Sequence, residues 1–179
     1  RIPNFDIRLS GKENLDKQLQ KSSIAEVDSV ISRTAIANRT NIESAVANLK
    51  AQQPDAVVED SMLTGAVEIV RSADGLTKPA QGRSGEDIVR QFISDNRGIY
   101  GLTDAEIGTL DFIGESISPE SGLRMVRVEQ IINGRPVFQS ETRFILDREG
   151  RVIRSLGSMI PKASDIAEDL DNLLTPQDA

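Results

Sequence analysis

Apolar residues recur at helical spacings over residues 16–53, where Leu19, Ile24, Val27, Ile31, Ala35, Ile42, Val46 and Leu49 form one stripe. This period predicts a long helix that Pro54 ends, because proline lacks the N–H a helix interior needs. The spacings are too irregular for a free coiled coil, so the stripe reads as the packed face of a helix. Residues 1–15 carry no sustained period and read as an extended lead-in. The pair Val57-Val58 and the alternation Ala66-Val67-Glu68-Ile69-Val70 predict strands at 56–59 and 65–71, a hairpin with Gly65 available for its turn or a bulge.

Residues 72–83 are rich in Gly, Pro and polar side chains and read as a linker. Ser84 followed by Asp87 marks a helix start, and Ile88, Val89, Phe92 and Ile93 give it one apolar face. Gly98 stands where a helix end needs a left-handed residue. Thr103 with Glu106 repeats the capping device, with Leu102 placed as a hydrophobic staple. Three strands then follow at 123–132, 136–147 and 151–159, joined by Asn133-Gly134, a strong hairpin signal, and by a turn at 147–150. Alternation places Val126, Val128, Gln130 and Ile132 on one face of the first strand. In the second it places Phe138, Ser140, Thr142, Phe144 and Leu146 on one face. The predicted fold class is α+β: a long N-terminal helix and hairpin, then a helix packed on an antiparallel sheet of three or more strands. Ile88, Val89, Phe92 and Ile93 should cover the apolar face of that sheet.

Composition removes several function classes. The 179 residues contain no His and no Cys, which excludes Ser-His-Asp and Cys-His nucleophile sites and zinc sites of the usual His or Cys ligands. No catalytic residue, metal ligand or cofactor site is read from the sequence, and the chain is expected not to be an enzyme. Adjacent carboxylates at Glu59-Asp60 and Glu86-Asp87 fall at a strand end and in a helix first turn, where the macrodipole accounts for the second pair. A net charge of −7 argues against nucleic acid as a partner, and no run is long and apolar enough to span a membrane. The charge is uneven: residues 51–122 hold five basic and thirteen acidic side chains, whereas 123–161 hold seven arginines and four acids. Arg124, Arg127, Arg135, Arg143, Arg148 and Arg151 are expected on the opposite sheet face and its turns. The first, second, third and fourth of these are the candidate contact surface for an acidic partner.

The stretch Val128-Glu-Gln-Ile-Ile-Asn-Gly-Arg-Pro-Val-Phe138, followed by Asp147-Arg-Glu-Gly150, Arg151-Val152-Ile153 and Gly157-Ser158, resembles the fungalysin/thermolysin propeptide domain. Upstream, Leu63-Thr64-Gly65, Leu76-Thr77, Ile88 to Phe92 and Gly101-Leu102-Thr103 are similar in order and spacing to the pro-regions of fungalysin-type zinc metallopeptidases. The likeness covers residues 56–161. Two departures stand out: Ile132 occupies the position before Asn-Gly where the family usually has an aromatic, and no peptidase domain with its zinc motif is present. The end, Leu174-Thr175-Pro176-Gln177-Asp178-Ala179, looks like the first residues of a PepSY domain.

The chain reads as four parts: an N-terminal extension with the long helix and hairpin (1–71), the linker (72–83), the propeptide-like domain (84–161) and an acidic tail (162–179), expected to be weakly ordered and similar at its end to the start of a PepSY domain. The resemblance implies a secreted or periplasmic pro-region, after signal-peptide removal, that inhibits a cognate metallopeptidase in cis and assists its folding until it is cut away. Gln130, Asn133, Gly134, Pro136 and Val137 match the family pattern. Read physically, they are first of all fold markers: Asn-Gly for a tight turn, Pro136 for strand entry, Gln130 for bonding backbone within the sheet. A standalone binding or inhibitor module of the cell envelope, and a structural spacer of a surface protein, are the other classes the sequence leaves open.

Overall fold

The computed structural model describes residues 23–61 and 66–173, with side chains over 38–61 and 66–168. Helix α1 (Ser23–Gln52) ends just before Pro54, as expected. In the described part of its stripe Ile42 and Leu49 are buried and Val46 half-buried. Residues 16–22, including Leu19, and the side chains of Ile24, Val27, Ile31 and Ala35 lie outside the described residues, as do the lead-in, the Gly65 turn with Leu63 and Thr64, and residues 174–179.

Strands β1 (Val57–Asp60) and β2 (Val67–Arg71) pair antiparallel, and Glu68 is the extra residue of a bulge. That bulge breaks the two-residue period, so Val67 and Val70, three apart, are both fully buried. Helix α2 (Gly85–Asp95) is followed by the short α3 (Arg97–Tyr100) and α4 (Asp104–Gly108). Strands β3 (Asp111–Ile117), β4 (Arg124–Glu129), β7 (Thr142–Leu146) and β8 (Val152–Leu156) complete the main sheet. Between β4 and β7 lies a separate two-stranded ladder, β5 (Ile131–Ile132) with β6 (Arg135–Pro136), and α5 (Ala163–Leu173) closes the described chain. The sheet has six strands in the order β1-β2-β8-β7-β4-β3, every neighbouring pair antiparallel. The α+β expectation is met.

The predicted cover is in place: Ile88, Val89, Phe92 and Ile93 of α2 are all buried on the sheet. Phe92 and Tyr100 each meet Phe144 edge-on, with ring centroids 6.0 and 6.2 Å apart. Buried Tyr100 donates its hydroxyl to Ser155 at 2.8 Å, and burial pushes its pKa well above the ordinary phenol range. Ser84 caps α2 through the Asp87 N–H, and Thr103 with Glu106 forms a full capping box on α4. Residues 72–80 run beside β8: Ser72 and Leu76 donate N–H groups to Ile153 and Val152, and Ala80 donates to Glu149.

Several expectations change. Gly98 is not the left-handed cap; it sits inside α3, where an added Cβ would lie 2.8 Å from Ala45 Cβ of α1, while Gly101 (φ 65) provides the cap. The strands expected at 123–132 and 136–147 are each cut, at Gln130 and over 137–141, because backbone groups there bond across a turn instead of along the ladder. Phe138, expected on the buried face, is 85% exposed. Residues 111–117 add an edge strand that the sequence pattern hides, since a bulge at Ile113 disrupts its alternation. The acidic tail is helical over α5, whose entry is held by Glu106 accepting the Ser164 N–H at 3.1 Å.

Candidate interaction surface

Gln130 is 3% exposed and organises its surroundings through four bonds. Its N–H donates to Ser140 Oγ at 3.0 Å, and its carbonyl accepts the Val137 N–H at 2.8 Å. Its side-chain Nε2 donates to the Ile160 carbonyl at 3.0 Å, and Oε1 accepts the Ile160 N–H at 2.6 Å. The residue therefore bonds backbone as expected, but to the segment after β8 and across the base of the β5–β6 hairpin. At the hairpin tip both Asn133 (φ 51) and Gly134 (φ 73) are left-handed, the pair of dihedral signs that the tight turn of a two-residue hairpin loop requires. Arg135 and Pro136 form the return strand and are exposed; Val137 is half-buried. Gln130 to Val137 thus form one hydrogen-bonded unit presenting an exposed tip.

The chain matches no family model, no curated protein and no solved structure.

The arginines divide between two sides of the sheet. Arg124 alternates with buried Val126 and Val128, so it lies on the helix-covered side, which corrects the expectation that it shares the open face. There it donates to Glu115 Oε1 at 2.7 Å and to the Arg83 carbonyl at 3.3 Å, while Glu115 Oε2 accepts the Gly85 N–H at the start of α2. Arg124 is a clamp on that helix end. Arg148 and Arg151 latch turns: Arg148 donates to the carbonyls of Glu120 and Ser121, and Arg151 to Asp147. Burial works to raise the Asp147 pKa, but the N–H groups of Arg151 and Glu149 and the Arg151 guanidinium outweigh it and hold the carboxyl below its usual range.

Arg127 and Arg143 do lie on the open face, and they are direct cross-strand partners. Glu141 lies between them, 2.7 Å from Arg143 Nε and 3.9 Å from Arg127 Nη1. A second arginine pair, Arg71 opposite Arg154, was not singled out in the sequence. Arg71 reaches Glu59 at 4.0 Å, and Arg154 has no ion pair among the described residues. Like charges directly opposite on a sheet are unfavourable, and Glu141 in the first pair and Glu59 in the second offset the repulsion. Aliphatic pairs Ile69–Leu156 and Ile145–Met125 alternate with them, giving a chequered apolar and basic face. A groove of about 600 Å³ is lined by Arg71 and Arg154 together with Leu123, Ile145 and Ile153. At its end the Ser72 hydroxyl donates to Asp55, and this bond lowers the carboxyl's pKa.

The signal for Arg71 and Arg154 lay in pairing register, which a single strand does not encode. A larger groove, about 760 Å³, separates α1 from α2 and includes Gln53, whose Nε2 donates to the Leu76 carbonyl while its Oε1 has no partner among the described residues.

Proposed function

We propose that this chain is the non-catalytic pro-region of a secreted or periplasmic zinc metallopeptidase, inhibiting the peptidase domain in cis and assisting its folding until it is removed. One observation supports this reading most: the residues that resemble the fungalysin/thermolysin propeptide pattern, Gln130 to Val137, form a pinned hairpin with an exposed tip. Asn133 and Gly134 set the turn, and they, Arg135 and Pro136 are exposed and so free to meet a partner. The mixed apolar and basic open face, with Arg127, Arg143, Arg71 and Arg154, suits an acidic partner surface, where complementary charge speeds and orients association.

The mechanism is one of linkage. A domain that binds the native peptidase and not its unfolded chain stabilises the native form by mass action, and a covalent link raises its effective concentration to the millimolar range. Proteolytic removal ends both effects. The test is a titration of this chain against the activity of the peptidase domain encoded with it, together with refolding of that domain with and without the chain. Saturable inhibition or an increased refolding yield supports the pro-region reading. A peptidase that refolds unaided and is not inhibited overturns it.

A further inference from the structure

The turn after the β5–β6 hairpin carries a feature that packing does not explain. Phe138 is 85% exposed, whereas Phe92 and Phe144 are buried in the core and Phe112 is half-buried with the Arg90 guanidinium 4.3 Å above its ring. The turn beneath Phe138 is fixed. Ser140 donates its N–H to the Val137 carbonyl at 3.2 Å, and its side chain, fully buried, accepts the Gln130 N–H. Gln139 is left-handed (φ 61), a conformation that a residue with a Cβ adopts only under constraint. This backbone reversal takes Phe138 out of the two-residue alternation that keeps Ser140, Thr142 and Phe144 buried. An aromatic ring held in water on a strained, pre-ordered turn has already lost the loop freedom that binding would otherwise remove.

We propose that Phe138 is the anchor of the partner contact, entering an apolar pocket of the peptidase domain whose rim is acidic and faces Arg135. The inference rests on the pro-region reading and names the element that makes the contact. Residues 130–140 contain no acid in a chain of net charge −7, and Arg135 is exposed with no ion pair among the described residues. Aromatic residues and arginine are the types that most often dominate binding energy at protein interfaces. One ring and one cation are too little for stable membrane attachment, which needs a broad apolar face or several charges.

The full chain and its Phe138→Ala, Phe138→Tyr and Arg135→Ala variants are to be compared in inhibition of the peptidase domain and in its refolding yield. Phe138→Ala should weaken the effect roughly 30-fold or more, as expected of an interface hot spot, with the thermal midpoint of the isolated chain unchanged. Phe138→Tyr, which keeps the ring, should retain most of the potency. Equal potency of Phe138→Ala and the parent overturns the anchor and leaves the pro-region reading intact. A parent chain that neither inhibits nor assists refolding removes that reading and the anchor with it. Phe138-dependent binding to phosphatidylcholine–phosphatidylserine vesicles, without an effect on the peptidase, overturns the anchor in favour of a lipid contact.

Discussion

The side-chain amide of Gln130 takes up both backbone groups of Ile160, donating to its carbonyl at 3.0 Å and accepting its N–H at 2.6 Å. It replaces a strand pair at the point where β4 leaves the sheet. Gln130→Ala should therefore cost about 2–3 kcal/mol, because two backbone groups lose their partner at a largely buried site. Gln130→Glu keeps the acceptor but loses the donor, setting a carboxylate oxygen against the Ile160 carbonyl. Its deficit relative to the parent should narrow at acid pH, when a protonated carboxyl again offers a donor. Denaturant midpoints at pH 7 and pH 4 measure both effects.

Phe92 and Phe144 join helix to sheet edge-on. Either one replaced by Ala should cost roughly 3–5 kcal/mol. Because the rings touch, the double variant should cost less than the sum of the two, by about 0.5–1.5 kcal/mol. Urea unfolding of the four-member cycle measures this; strict additivity would place the two rings in separate environments.

Gly98 lies where α3 crosses α1, with Ala45 Cβ 2.8 Å from the position of an added Cβ. Alanine would normally gain about 1 kcal/mol over glycine inside a helix. Here overpacking, on the order of 1–3 kcal/mol, should outweigh that gain. Gly98→Ala is expected to lower the thermal midpoint, and Ala45→Gly in the same chain to recover part of the loss.

Asp147 ties the β7–β8 turn, accepting the N–H groups of Glu149 and Arg151 at 2.9 Å and the Arg151 guanidinium at 2.7 Å. Its folded pKa lies below the ordinary value, so the unfolded chain takes up its proton first as pH falls. The charged carboxylate's contribution is fully present above the ordinary carboxylate range and is lost as pH drops through the lowered folded pKa. Asp147→Asn should lower stability at pH 7, and the gap to the parent should close as pH falls below about 4. Guanidinium midpoints across pH 2.5–7 test the direction.

Local physics wrote much of this fold into the sequence. Pro54 ended α1, Ser84 and Thr103 opened their helices, Asn133-Gly134 made its turn, and the apolar face of α2 met the sheet, because each depends on a few neighbouring residues. What the sequence left unread depends on residues far apart in the chain. The bulges at Glu68 and Ile113 disturb the alternation from which strands are recognised. The role of Gly98 follows from Ala45, more than fifty residues away, and the cut at Gln130 from Ile160. Strand register alone put Arg71 against Arg154 and Arg127 against Arg143. The left-handed Gln139 turned Phe138 outward against the period that had placed it inside, since a buried Ser140 and its bond to Gln130 outweighed the local preference of the strand.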